Sequence, residues 1–281
     1  MNSSLLLSIV TFVYAASAVL YIASWVFKKS LPSALGRWVA LAGLIGNVTG
    51  IGLRWIESYH MGIGHAPLSN LYESLVFYSA VIAIVYLVIE WRYAMPTIGA
   101  FVMPFAFLAM AYASLSPNVN DRIQPLLPAL KSNWLIAHVI TCFIGYAAFA
   151  VAFGLSLMYV LKANHTGDSQ SLIGRFPDIR VLDELNHQMI MFGFLFLTAG
   201  IITGSVWANS AWGRYWGWDP KETWSLITWF IYATLLHARF MRGWQGRRIA
   251  YLSMAGFAAV LFTYFGVNLL PGLHSYGAMG Q

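Results

Sequence analysis

The stretch TGSVWANSAWGRYWGWDPKETW, residues 203–224, holds five of the chain's twelve tryptophans: Trp207, Trp212, Trp216, Trp218 and Trp224. Gly213 and Gly217 lie among them, and Asp219-Pro220-Lys221-Glu222 closes the run. An indole is a flat, rigid, amphipathic plate suited to a membrane–water boundary. Read as a short helix over 208–219, the spacing puts Trp212, Tyr215, Trp216 and Asp219 on one face. The glycines remove bulk beside the rings, so a flat ligand can approach closely. Asp-Pro-Lys-Glu has the form of an N-cap, a proline at N1 and an acid at N3, which predicts a helix beginning at Pro220. An aromatic belt that anchors a loop accounts for two or three of the rings. Five tryptophans in eighteen residues, with glycines and a fixed helix start, exceed what a belt needs, and a ligand platform is expected.

Working outward, 59% of the 281 residues are hydrophobic and 9% charged, against about 25% charged in a soluble domain. Mean hydropathy is +0.66. The expected fold is all-α, a polytopic integral membrane protein forming a single membrane domain over 1–281. At about 20 residues per span, eight transmembrane helices are expected near 5–27, 38–58, 71–90, 98–115, 133–161, 187–209, 220–241 and 249–270. Of the sixteen Lys and Arg residues, eleven fall in one set of connections and five in the other. The positive-inside rule makes the richer side cytoplasmic and places both termini, with the tryptophan stretch, outside the cytoplasm. The net charge of +6 is spread between apolar spans, which argues against a nucleic-acid partner. Residues 1–4 lack a basic stretch, so 5–27 is expected to be a span and not a cleaved leader. The single cysteine, Cys142, excludes an intramolecular disulfide and a Cys-x-x-Cys pair.

Seven histidines sort by depth. His165 reads as solvated in a cytoplasmic connection, and His187 as a capping or interfacial residue where helix six begins. His60 and His65 read as surface residues of an outer connection. The apolar run 133–161 is 29 residues, about 43 Å as a helix and longer than the membrane core of about 30 Å. His138, near its outer end, is therefore expected at the outer surface. His274 follows the last span after Pro271-Gly272 and is expected at the same level. Two imidazoles beside an aromatic shelf suit a haem iron with two axial nitrogens. Asp219 and His237 are 18 residues apart, about 27 Å along a helix, which puts His237 near the inner leaflet. An ionisable residue at that depth is a functional candidate; the plainer reading is snorkelling with Arg239 and Arg242. Among other polar residues, Arg54 and Glu57 are spaced to pair with each other, and Glu73 suits the start of its helix. Arg54, Arg214 and Lys221 are candidates for neutralising haem propionates.

The chain resembles the CcsA (ResC) family of the system II cytochrome c assembly pathway, part of a wider haem-handling family named for its tryptophan-rich WWD motif. The resemblance rests on WANSAWGRYWGWDPKETWSLITW at 207–229, WLIAHV at 134–139, PLSNLYESL at 67–75 and LHSYG at 273–277. It implies non-covalent haem b bound as substrate at the extracytoplasmic surface by the motif, with Trp207, Trp212, Trp216, Trp218, Asp219 and Trp224 as its residues here. By resemblance His138 and His274 are the axial ligands, and His237 belongs to an inner haem site on an export route. The second ligand of that inner haem is implied to come from a CcsB (ResB) partner, in keeping with the lack of another deep histidine in the sequence reading.

The implied activity is holocytochrome c synthase (haem lyase), exercised with that partner. Haem is presented to an apocytochrome c Cys-x-x-Cys-His for thioether formation. The residues identify no catalytic acid or base, since Asp219 is explained by capping. The expected location is a bacterial cytoplasmic membrane in preference to a plastid thylakoid. Three other readings remain open: haem delivery to a chaperone, a b-type haem electron-transfer subunit, and a small-molecule transporter. A transporter lacks the expected inverted repeat.

Overall fold

The computed structural model describes residues 2–168 and 171–270. Among the described residues there are eight α-helices and no strand. They are α1 (Ser3–Phe27), α2 (Ser30–His60), α3 (Leu71–Tyr93), α4 (Gly99–Leu115), α5 (Asn133–Ala163), α6 (Ile179–Trp212), α7 (Pro220–Arg242) and α8 (Arg247–Tyr264). Short 3₁₀ turns occupy Pro96–Ile98, Pro128–Leu130 and Gly266–Leu269. The helices α1 to α6 are each long and apolar enough to cross a membrane, α4 with the turn before it. The protein is an all-helical polytopic membrane protein. Lys221, Glu222, His237, Arg239 and Arg242 make α7 less apolar than its neighbours, and α8 is 18 residues long.

The helices form two compact units: α1–α4 with the segment Asn164–Ile179, and α5–α8. In the first unit, α1 presents Leu7, Tyr14 and Tyr21 every seven residues, and α2 answers with Gly50, Gly43 and Gly36 at the same interval. A Cβ on Gly50 would lie 2.5 Å from Leu7, one on Gly43 2.8 Å from Tyr14, and one on Gly36 3.3 Å from Tyr21. Bulk against no bulk brings the two backbones together, the usual solution where lipid offers no hydrophobic drive for association. The C-terminal carbonyls of α1 are satisfied by Arg175, whose Nη1 donates to Val26 O at 2.7 Å and to Trp25 O at 3.1 Å.

Charged side chains inside this unit are hydrogen-bonded, though not as their spacing suggests. Arg54 does not pair with Glu57: its Nε donates to Glu73 Oε1 at 2.8 Å and its Nη1 to Asp121 O at 2.7 Å. Its Nη2 has no hydrogen-bond partner, and the guanidinium lies 4.9 Å from the Tyr72 ring centroid. Glu57 instead accepts from Ser3, through N at 2.8 Å and through Oγ. Glu73 also accepts from Ser69 N and Oγ at the start of α3. With Arg54 only 2% exposed and committed to Glu73, it is not a propionate-binding residue. At the other end of the bundle, Glu90 is buried and accepts from Tyr21 Oη and from Arg37 Nε.

Two histidines depart from expectation. His65 is 7% exposed, not a surface residue. Its ring nitrogens lie 2.9 Å from Ala66 O and 3.1 Å from Gln124 O, so it ties two connections together. His187 does not begin a helix, because α6 starts at Ile179. It sits two turns inside, buried, with its ring 5.3 Å from Phe240 and its Nδ1 without a hydrogen-bond partner. His187 is therefore a buried histidine within α6.

The Arg54–Glu73 pair gives a direct test. Removing one member leaves a buried charge, at a cost of about 3–5 kcal/mol. Arg54→Met is expected to lower the thermal unfolding midpoint in detergent clearly, and Arg54→Met with Glu73→Leu to recover most of the loss.

Candidate functional site

In the second unit the decisive contact is between α5 and α6. On α6, Gly193, Gly200 and Gly204 recur at helical spacing on one face. Opposite them on α5 stand Phe149, Cys142 and His138: a Cβ would lie 2.6 Å from Phe149, 2.5 Å from Cys142 Sγ and 2.6 Å from His138 Nδ1 respectively. From the α5 side, a Cβ on Gly145 would meet Gly193 O at 3.0 Å. The backbones thus approach to within hydrogen-bonding reach of a side chain, and His138 Nδ1 lies 2.8 Å from Gly200 O. A carbonyl only accepts, so Nδ1 carries the proton and the lone pair resides on Nε2. That is the arrangement by which a backbone carbonyl fixes the tautomer and orientation of a metal-binding imidazole. Cys142 Sγ is 3.6 Å from the same nitrogen.

One face of the imidazole is covered by the tryptophan stretch. Trp207 stacks on His138, centroids 5.8 Å apart and planes 17° from parallel, and its Nε1 donates to Ala129 O at 2.9 Å. Trp212, the last residue of α6, packs at 5.0 Å on Trp207. The helix stops there because Gly213 turns left-handed (φ 73°), its N–H closing onto Asn209 O at 2.9 Å. The expected helix over 208–219 is therefore absent, and Trp212, Tyr215, Trp216 and Asp219 do not share a helical face. Residues 213–219 form an irregular loop in which Trp218 also has positive φ (56°), a strained state for a residue with a bulky side chain. Trp216 and Trp218 meet edge to face at 5.7 Å, and Trp218 is 69% exposed.

The five tryptophans do three different things. Trp207 is buried behind His138, Trp224 packs on Phe262 of α8 at 4.2 Å, and the remaining three lie nearer the surface, Trp212 and Trp216 half-buried and Trp218 exposed. The loop is pinned at its far end. Asp219 accepts from Lys221 N at 2.9 Å, and Glu222 Oε2 accepts from Gly217 N at 2.8 Å and Asp219 N at 3.1 Å, a capping box that starts α7 at Pro220 as the pattern predicts. Asp219 is buried and occupied by this cap. Arg214 is exposed, its guanidinium lying against Gly217.

His274 lies outside the described residues. His237 stands on the continuous helix α7, about 27 Å along the axis from Asp219, and its side chain is exposed, pointing away from the buried face of α7 formed by Thr228, Tyr232, Leu235, Leu236 and Ala238. His187 packs on Phe240, three residues further along the same helix, so the two histidines stand within about one turn of each other in height. Sequence reasoning did not reach Gly200, Gly204 or Cys142 as neighbours of His138. The signal was present as a glycine spacing of seven and four on α6 facing a His-x-x-x-Cys on α5.

Residues 68–274 match the family described as Cytochrome C assembly protein, and the chain belongs to that family. Within it, the similarity is to proteins named Cytochrome c biogenesis protein CcsA. The protein of Guillardia theta is 43% identical over 246 residues, covering 81% of this chain and 80% of that one. The protein of Parasynechococcus marenigrum (strain WH8102) is 42% identical over 264 residues, 85% of each. Among solved structures, Cytochrome c Heme Lyase CcmF shares the fold: TM-score 0.66 at 16% identity, covering 96% of this chain and 50% of that one.

The α5–α6 contact has a testable signature. Gly200→Ala is expected to destabilise the chain by about 1–3 kcal/mol through overpacking, and Cys142→Ala in the same chain to restore part of it. Equal midpoints for the two variants in thermal unfolding would contradict the contact.

Proposed function

We propose that this protein handles haem in cytochrome c biogenesis, presenting it at the extracytoplasmic surface for attachment to apocytochrome c. The supporting observation is the imidazole of His138: Gly200 O holds Nδ1, Trp207 backs the ring, and this tautomer puts the lone pair that an iron would use on Nε2. Haem brings its own equatorial nitrogens, so the protein need only supply axial donors. His138 and His274 are those donors in this reading. Trp212, Trp216 and Trp218 offer the porphyrin an aromatic surface, while Trp207, Asp219 and Trp224 hold that surface in place. Family membership and the named relatives support the pathway.

The protein's part is positioning. Each thiol of the apocytochrome adds across a haem vinyl group, sulfur to one carbon and hydrogen to the other, with no outside oxidant. Holding the porphyrin edge still while its axial positions are occupied is how a binding surface accelerates such an addition. A CcsB-type membrane partner completes the synthase, with haem b as the substrate and the whole chain acting as one membrane domain. Both termini lie outside the cytoplasm, and the membrane is the bacterial cytoplasmic one. His237, exposed on α7, forms an inner haem site on the way outward. Its second ligand comes either from the partner or from His187, whose buried, unpartnered Nδ1 makes it a candidate within this chain.

In the complex purified with its partner, His138→Ala and His274→Ala are each expected to lower retained haem and shift its Soret band. Replacing Trp212, Trp216 and Trp218 together should reduce haem at this site while the chain still inserts. Unchanged haem content and spectra in both histidine variants would contradict the outer site. His237→Ala is expected to lower total haem and holocytochrome yield. If His187→Ala does the same, the inner iron is held within this chain; if only His237→Ala does, the partner supplies the other nitrogen.

A further inference from the structure

The turn between α7 and α8 has an arrangement that topology alone does not explain. Arg242, Gly243, Trp244, Gln245, Arg247 and Arg248 line an open cleft of about 510 Å³. None of the three arginines has a carboxylate partner among the described residues, whereas Arg239, nearby, pairs with Asp183 at 2.8 Å. Asp183 also accepts from Gly246 N at 2.9 Å, so its carboxylate is spent on fixing the turn. Arg247 donates to Ala163 O, and Arg248 lies 5.3 Å from the Trp244 ring centroid.

Arg247 and Arg248 are the first two residues of α8, which has no acidic residue in its first turn and no side-chain cap. Positive charge at a helix N-terminus opposes the macrodipole. The positive-inside rule asks for basic residues in a connection, but not at this end of a helix. An anion in the cleft would relieve the repulsion and meet the unsatisfied amides of the first turn.

The neighbouring face of α7 indicates what kind of anion. His237, Phe240 and Met241 fall at i, i+3 and i+4 and are all exposed. Arg242 follows His237 by five residues, about 7.5 Å of helix rise and about 140° around the axis. Its base is off this face, and its level along α7 is comparable with that of a porphyrin's carboxylate edge when the iron is at His237. Imidazole, apolar surface and guanidinium therefore follow one another in the order of iron, macrocycle and propionates. A phospholipid headgroup would use the arginines and the apolar residues, but it has no use for the imidazole.

Resting on the reading of His237 as an inner haem ligand, we propose that the Arg242–Arg248 cleft binds the two propionate carboxylates of haem as its iron engages His237. Guanidinium–carboxylate contacts are charge-assisted and directional, so they set the orientation in which the porphyrin enters.

The test titrates haemin and haemin dimethyl ester, which lacks the carboxylates, into the detergent-purified full chain and reads the Soret shift that depends on His237. The wild-type chain is expected to favour haemin by about tenfold or more, as expected for two charge-assisted contacts. Arg242→Gln with Arg247→Gln and Arg248→Gln should reduce that preference to within about twofold, whereas the corresponding lysine variant should keep most of it. A glutamine variant that retains the full preference overturns the proposal. So does phosphatidylglycerol abolishing the preference when added to the micelles, since the cleft would then belong to a lipid headgroup. If His237→Ala leaves the Soret shift unchanged, the inner site itself fails and the proposal falls with it; failure in the arginine arm alone leaves the inner site standing.

Discussion

The close approach of α5 and α6 is the constraint on which the site depends. With no side chain at Gly193, Gly200 or Gly204, α5 settles against the α6 backbone until Phe149, Cys142 and His138 touch it. Only at that distance does Gly200 O reach His138 Nδ1. In a membrane such contacts rest on van der Waals packing and interhelical hydrogen bonds, because burial from lipid gains little. A helix-packing device and a tautomer-fixing device are thus the same three glycines. The stack of Trp207 on the imidazole, and of Trp212 on Trp207, carries that order to the end of α6.

Rigidity at the other edge of the tryptophan loop comes from α7. Glu222 gathers two backbone N–H groups of the loop and Asp219 gathers one of the helix. Between the Gly213 turn and this capping box, only seven residues are irregular. They carry Trp216 and Trp218, and one of them has a non-glycine backbone at positive φ. Strain of this kind persists where the surroundings determine the backbone, and it gathers at ligand-binding segments. Lower on α6 and α7, Asp183 with Arg239 and Thr198 with Trp229 fix the register of the two helices. This sets the height of His237 relative to the loop.

Much of this was readable in the amino-acid order, and the misses share a cause. The helices α1 to α6 fall close to their expected places because each contains a long apolar run, and Pro220 starts α7 because Asp-Pro-Lys-Glu is a local signal. Long-range partners were not readable. Arg54 lies one turn from Glu57 yet bonds to Glu73 on another helix, since a buried guanidinium takes the carboxylate whose geometry is best. His65 looks like a loop residue, but its loop folds back onto Ser58 and Gln124. His187 looked interfacial because the apolar run begins there, whereas α6 starts eight residues earlier in a polar segment. The tryptophans invited a helical reading through their spacing, and Gly213 ended the helix first.

The central claim is that glycine-mediated packing fixes the tautomer of His138, which in the proposed function offers Nε2 to iron. Gly204→Ala tests it most directly. Alanine favours the helix by about 1 kcal/mol over glycine, yet its Cβ would stand 2.6 Å from His138 Nδ1. The measurement is the ferric electron paramagnetic resonance spectrum of the purified haem-loaded complex. The account predicts a low-spin, bis-imidazole signal for the wild-type protein, and its loss or conversion to high-spin in Gly204→Ala while the chain remains folded. A low-spin signal that is unchanged in position and intensity would contradict it.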